Sequence, residues 1–113
     1  MATAADIDVD ESTQGPDVLP VAPLQEVLAS LSDPVRLEMV RRLMADSGPC
    51  QCSQLYDAVG KSTASHHFKI LREAGVIERK TIGGKVHQQL RLAELERRYP
   101  GMIPAIMAAA DQQ

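Results

Sequence analysis

One stretch, Lys61-Ser62-Thr63-Ala64-Ser65-His66-His67-Phe68-Lys69-Ile70-Leu71-Arg72-Glu73-Ala74-Gly75, constrains this chain more than any other. Ser62 and Thr63 carry side-chain oxygens suited to cap the free N–H groups of a helix's first turn, and Gly75 is suited to end it. Between them Ala64, Phe68 and Leu71 recur at helical spacing as a narrow apolar stripe. Ser62, Ser65, His66, Lys69 and Arg72 fall away from that stripe. The spacing thus predicts a helix over residues 62–74 with a thin attachment to a core and an outer face of hydroxyls, imidazoles and positive charge. Such groups bond to base edges and phosphates, which makes the face a candidate to enter a DNA groove; a plain solvated helix face is the alternative.

The flanking sequence decides between them. After Cys50-Gln51-Cys52, a short helix is expected from about Ser53 to Val59, with Leu55 and Val59 facing inward and Gly60 at its end. Two short helices joined by a tight turn containing Gly make a helix-turn-helix, whose second member is the reading helix. Beyond Gly75 the period changes to that of strands: residues 76–82 and 85–92 flank Gly83-Gly84, a pair that supplies the positive φ of a tight hairpin. This hairpin carries Arg79, Lys80 and Lys85 near its tip, so residues 79–86 read as a basic wing beside the reading helix.

Upstream, Leu24, Val27, Leu28 and Leu31 form the apolar stripe of a first helix. Asp33 is placed to cap a second helix whose first residue is Pro34 and which stops at Asp46-Ser47-Gly48-Pro49. Downstream, one or two helical turns are expected from Ala93 to Tyr99; after Pro100-Gly101, a final helix presents Met102, Ile103, Ile106 and Met107. The first and last helices lie outside the helix-turn-helix, so these eight apolar residues are expected to pack against each other and against a second copy of the chain. The expected architecture is mostly α with a small β-hairpin, a winged helix-turn-helix in the order α-α-α-α-β-β-α, assembled as a homodimer.

Charge distribution supports a nucleic-acid partner despite a net charge of -3. All twelve Lys and Arg residues lie at or after Arg36, where eight acids leave a balance of +4. Asp6, Asp8, Asp10, Glu11 and Asp17 crowd the beginning, so residues 1–19 are expected to be a disordered acidic arm and residues 20–113 the DNA-binding domain. No apolar run is long enough to span a membrane, and acids stand where a secretory signal would carry bases; a cytoplasmic protein without a membrane partner is expected. Cys50 and Cys52 are too few and too close for a disulfide framework and are expected to be thiols. An enzyme has little support: Ser65, His66 and His67 are adjacent on one helix and spread around its axis instead of converging on a substrate. A winged helix that binds an acidic protein partner remains an alternative of another class.

Three segments in order resemble the ArsR family of winged helix-turn-helix transcriptional regulators. Leu28-Ala29-Ser30-Leu31-Ser32-Asp33-Pro34-Val35-Arg36-Leu37 is similar to the family's L-x-x-L-x-D-P-x-R-L segment. Residues 62–77 are similar to its S-x-x-S-x-H-L-x-x-L-x-x-A-G-L-V recognition segment, and the Gly-containing basic wing follows. The resemblance runs from about Leu24 to the end and implies a homodimeric repressor that reads palindromic double-stranded DNA and releases it when an inducer binds. It places Ser62, Thr63, Ser65 and His66 on bases or nearby phosphates, and Lys61 and Lys69 on phosphate. For His67 it leaves DNA contact and a structural role both open. Cys50 and Cys52 sit where metal-sensing members carry C-x-C-D-L. This pair is a candidate for a soft metal ion or a redox-responsive thiol, although two thiolates do not complete a metal site. A purely structural role is the third reading.

Overall fold

Order in the chain follows its proline and aspartate signals closely. The computed structural model describes residues 16–113. Helix α1 spans Leu24–Ser30 with Pro23 at its N-cap. The Asp33 carboxylate then accepts the backbone N–H groups of Val35 and Arg36, at 2.9 and 3.1 Å, and opens α2, Pro34–Asp46. Burial acts to raise the Asp33 carboxyl, but those two bonds and the nearby positive charges of His67 and Arg36 hold it below its ordinary value. Ser47, left-handed at φ 60, ends the helix.

Strand β1, Cys50–Gln51, leads into a single 3-10 turn, Cys52–Gln54, and the chain then bends through to Gly60. Helix α3, Lys61–Glu73, is followed by β2, Ile77–Ile82, and β3, Lys85–Leu90. Helices α4, Leu92–Arg98, and α5, Met102–Ala110, complete the chain, separated at Pro100-Gly101. The strands form an antiparallel sheet in the order β1-β3-β2, with Cys50 opposite Gln88 and Arg79 opposite Gln88 on the other side.

The predicted helix over residues 53–59 is absent. Cys50 and Gln51 pair with β3, and the chain leaves that strand through the single 3-10 turn Cys52–Gln54 without continuing as a helix. Tertiary contacts hold the irregular segment instead. Leu55 is buried, Tyr56 meets the edge of the Phe68 ring with centroids 6.2 Å apart, and Arg42 bonds to the Gln54 carbonyl and the Asp57 carboxylate. The two-residue strand gave too short a periodic signal to be read.

The core joins every helix to the sheet. Val27, Leu31, Met39, Val40, Leu43, Ala64, Phe68, Leu71, Val76, Ile77, Leu95, Ile103 and Met107 are buried in one cluster. This corrects the expected dimer surface: Val27, Leu31, Ile103 and Met107 fill the protomer's own core, because short terminal helices on a domain of this size must cover its sheet and central helices. Leu24 and Leu28 remain outside at 42% and 45% exposure, and Met102 and Ile106 are half-buried.

Of the expected arm of residues 1–19, residues 1–15 lie outside the described residues, while Asp17 bonds to β2 and the chain after it reaches the end of α3 at Ala22. The Ala22 N–H donates to the Ala74 carbonyl and the Arg79 N–H to the Asp17 carbonyl, each at 3.0 Å. Arg91 donates to the carbonyls of Leu19 and Gly75, and so locks this segment to the end of α3.

Candidate nucleic-acid interface

Helix α3 begins one residue earlier than its sequence suggested. Gly60 is the N-cap and no side chain caps the first turn, so Ser62 and Thr63 sit inside that turn and are exposed. This corrects their expected capping role and leaves both hydroxyls on the outer surface. Lys61 and His66 are exposed beside them, and Ser65 is partly exposed. Ala64, Phe68 and Leu71 are buried as their spacing indicated. Arg72 is buried too, at 1% exposure: it lies four residues past Phe68 and eight past Ala64, which makes the inward stripe wider than the apolar residues alone marked. Lys69 forms a surface pair with Glu73 at 3.2 Å, the kind of contact that a phosphate displaces readily.

His67 is set apart from the exposed residues of α3. Its side chain is only 12% exposed, and its Nδ1 lies 2.9 Å from Nη1 of Arg36. Arg36 also donates from Nε to the Ser30 carbonyl at 2.7 Å. Burial, with smaller contributions from the positive charges of Arg36 and His66, lowers the His67 pKa below 6.5 despite the opposing pull of Asp33. Of the two readings open for His67, the geometry carries the structural one. The contact of Arg36 with α3 crosses between elements, and no local periodicity marks it.

In the wing, Lys80 and Lys85 are exposed and Arg79 is not. Arg79 is 5% exposed, and its Nε donates to the Asp17 carboxylate at 2.8 Å. Its assignment to DNA contact is therefore corrected. Alternation along β2 turns Ile77 and Arg79 to the same, inward side, and Asp17 arrives from sixty-two residues away to neutralise the buried guanidinium. Two further arginines of α2, Arg41 and Arg42, are engaged with an acid of the same helix, both bonding to Glu38 at 2.8 Å.

Cys50 is buried on β1 and donates to the Asp46 carboxylate at 2.9 Å. Burial first, and then that carboxylate, push its thiol up to about 11. The local structure behind this is a strand beside an acid. Cys52 lies by the Val86 carbonyl and accepts from Gln88 Nε2, each at 3.6 Å. Among the described residues no three His, Cys, Asp or Glu side chains are grouped to hold a metal ion. At a pH of about 8, Cys50 is expected to alkylate about a hundredfold more slowly than an unperturbed thiol, read by mass spectrometry of its peptide. Alkylation at the rate of a free thiol would contradict this burial.

Comparison with known proteins agrees with this geometry. A family model described as a helix-turn-helix domain matches residues 31–80, from the end of α1 through the first half of the wing. The chain is 29% identical over 83 residues to the uncharacterized HTH-type transcriptional regulator YceK of Bacillus subtilis (strain 168), a match covering 72% of this chain and 83% of YceK. The crystal structure of the transcriptional repressor BigR from Xylella fastidiosa aligns with a TM-score of 0.60 at 25% identity, over 76% of this chain and 84% of that one. The chain is a DNA-binding transcriptional regulator built on a winged helix-turn-helix. Among the described residues no helix is long and apolar enough to cross a membrane.

Proposed function

We propose that this regulator is a homodimeric repressor that lays the first half of α3 in the major groove of a palindromic operator, with Lys80 and Lys85 of the wing on flanking phosphates. The observation that carries this reading is the exposed, uncapped first turn of α3, where Lys61, Ser62, Thr63 and His66 stand together. Free N–H groups at a helix start attract phosphate, and hydroxyl and imidazole groups bond to base edges. A second copy fits against Leu24 and Leu28 of α1 with Met102 and Ile106 of α5, the apolar side chains of the terminal helices that the core does not fully bury. Two-fold pairing would set two α3 helices to read half-sites about one DNA turn apart.

A mobility shift on the DNA upstream of the regulator's own gene tests this. Lys69→Ala and Lys85→Ala are expected to weaken binding to all sequences alike, each lowering the salt slope by about 0.9. Ser65→Ala and His66→Ala are expected to change which sequence is preferred. Binding indifferent to DNA sequence would count against the repressor and favour a protein-binding winged helix. The same assay with soft metal ions or peroxide, beside Cys50→Ser and Cys52→Ser, tests whether the cysteine pair releases DNA. The high pKa of Cys50 argues against its acting as the reactive thiolate.

A further inference from the structure

We infer that Arg36 is a positioning residue for DNA recognition, clasping the middle of α3 through His67 and the end of α1 through the Ser30 carbonyl. The inference rests on α3 being the helix that enters the groove. One arginine joins three elements here, two of them through its guanidinium. Its backbone N–H closes the Asp33 cap of α2, its Nε holds the last residue of α1 at 2.7 Å, and its Nη1 meets His67 Nδ1 at 2.9 Å. The α1 end of the clasp belongs to the helix that exposes Leu24 and Leu28, and the α3 end adjoins His66 on the outer face. The clasp therefore sets α3 relative to the terminal helix, which fixes where its reading residues stand.

The chemistry of the pair defines its state. A guanidinium has only donors, so Nδ1 of His67 must be the acceptor and the ring's one proton must sit on Nε2. Three charged or titratable groups face the ring: Asp33, whose carboxylate lies 4.0 Å from Nδ1, Arg36 itself, and His66, whose ring centroid is 6.1 Å away. Asp33 favours a protonated ring, while burial, Arg36 and His66 disfavour it more, so the clasped His67 titrates below its ordinary 6.5. The clasp is then fully formed above that ordinary value and is lost as pH falls from there through the lowered pKa, when Nδ1–H meets Arg36 donor to donor.

Three measurements on the full chain decide the matter. Nitrogen NMR of the imidazoles at neutral pH is expected to show His67 neutral, with its proton on Nε2; a proton on Nδ1 would overturn the clasp. Affinity for a duplex selected by the protein from a random pool is then measured by fluorescence anisotropy for wild type and His67→Asn, whose Oδ1 replaces Nδ1 as an acceptor that does not titrate. The ratio of wild-type to variant affinity is expected to fall about tenfold between about pH 8 and about pH 5, the equivalent of one charge-assisted hydrogen bond. A ratio independent of pH would overturn the proposal, and comparing the two proteins cancels titration of His66 and of DNA contacts. Arg36→Lys keeps the charge without the planar fork and is expected to bind about tenfold more weakly at the higher pH. Should that variant fail to fold, the tautomer and the affinity ratio still decide. Lys69→Ala separates the two readings: if it leaves DNA affinity intact, α3 is not the groove helix, whatever the tautomer of His67.

Discussion

Gly75→Ala is expected to destabilise the fold by about 3 kcal/mol, more than any other substitution of comparable size in the chain, because strain and overpacking act together. Gly75 adopts φ 75, and a Cβ placed there would lie 2.4 Å from the Pro20 carbonyl oxygen and 2.5 Å from the Val21 Cα. Both obstacles are backbone atoms, so neither can swing aside as a side chain would. Relief would require the segment before α1 to lift away, losing the Ala22 to Ala74 hydrogen bond and the double grip of Arg91 on Leu19 and Gly75. For a domain of this size the melting temperature should fall by roughly 15 °C in calorimetry or circular dichroism. A drop of under about 4 °C would mean that the N-terminal segment does not lie against the end of α3 in solution.

Phe68→Ala should cost about as much, roughly 3–5 kcal/mol, by another route. Phe68 is 2% exposed and sits on the inward stripe of α3 between Ala64 and Leu71, with the Tyr56 ring at its edge. No other phenylalanine exists in the chain to fill the space. Its loss removes the largest apolar contact of α3, so DNA affinity should fall together with stability. Phe68→Leu, which keeps most of the volume and matches the residue in the family's recognition segment, should recover the greater part of both. Urea unfolding beside anisotropy measures the two; a stable Phe68→Ala protein with wild-type DNA binding would contradict the placement of α3 on the core.

How far the chain could be read depended on how local the cause was. Asp33-Pro34 placed the start of α2 because capping involves residues within one turn, and Gly83-Gly84 placed the wing for the same reason. Exposure of Ser62 and His66 followed from helical period alone. The inward side of Arg79 was marked by its alternation with Ile77, but the acid that makes its burial tolerable, Asp17, is sixty-two residues away and no local signal announced it. Arg72, set outside the stripe on the identity of its side chain, is likewise buried, and its spacing from Ala64 and Phe68 was the signal that could have placed it.

The sequence by itself determined the winged helix-turn-helix, the polar outer face of α3 and the exposure of Lys80 and Lys85 beside the Gly83-Gly84 turn, because each rests on period, capping or turn chemistry within a few residues. Tertiary structure alone decided four things: that residues 53–59 are not a helix, that half of the expected dimer surface belongs to the protomer's core, that Asp17 neutralises the buried Arg79, and that Arg36 joins α1 to α3 through His67. Each depends on what a distant segment brings to the same place. Burial, charge neutralisation and hydrogen-bond partnership are properties of that assembled neighbourhood, and no local pattern encodes them.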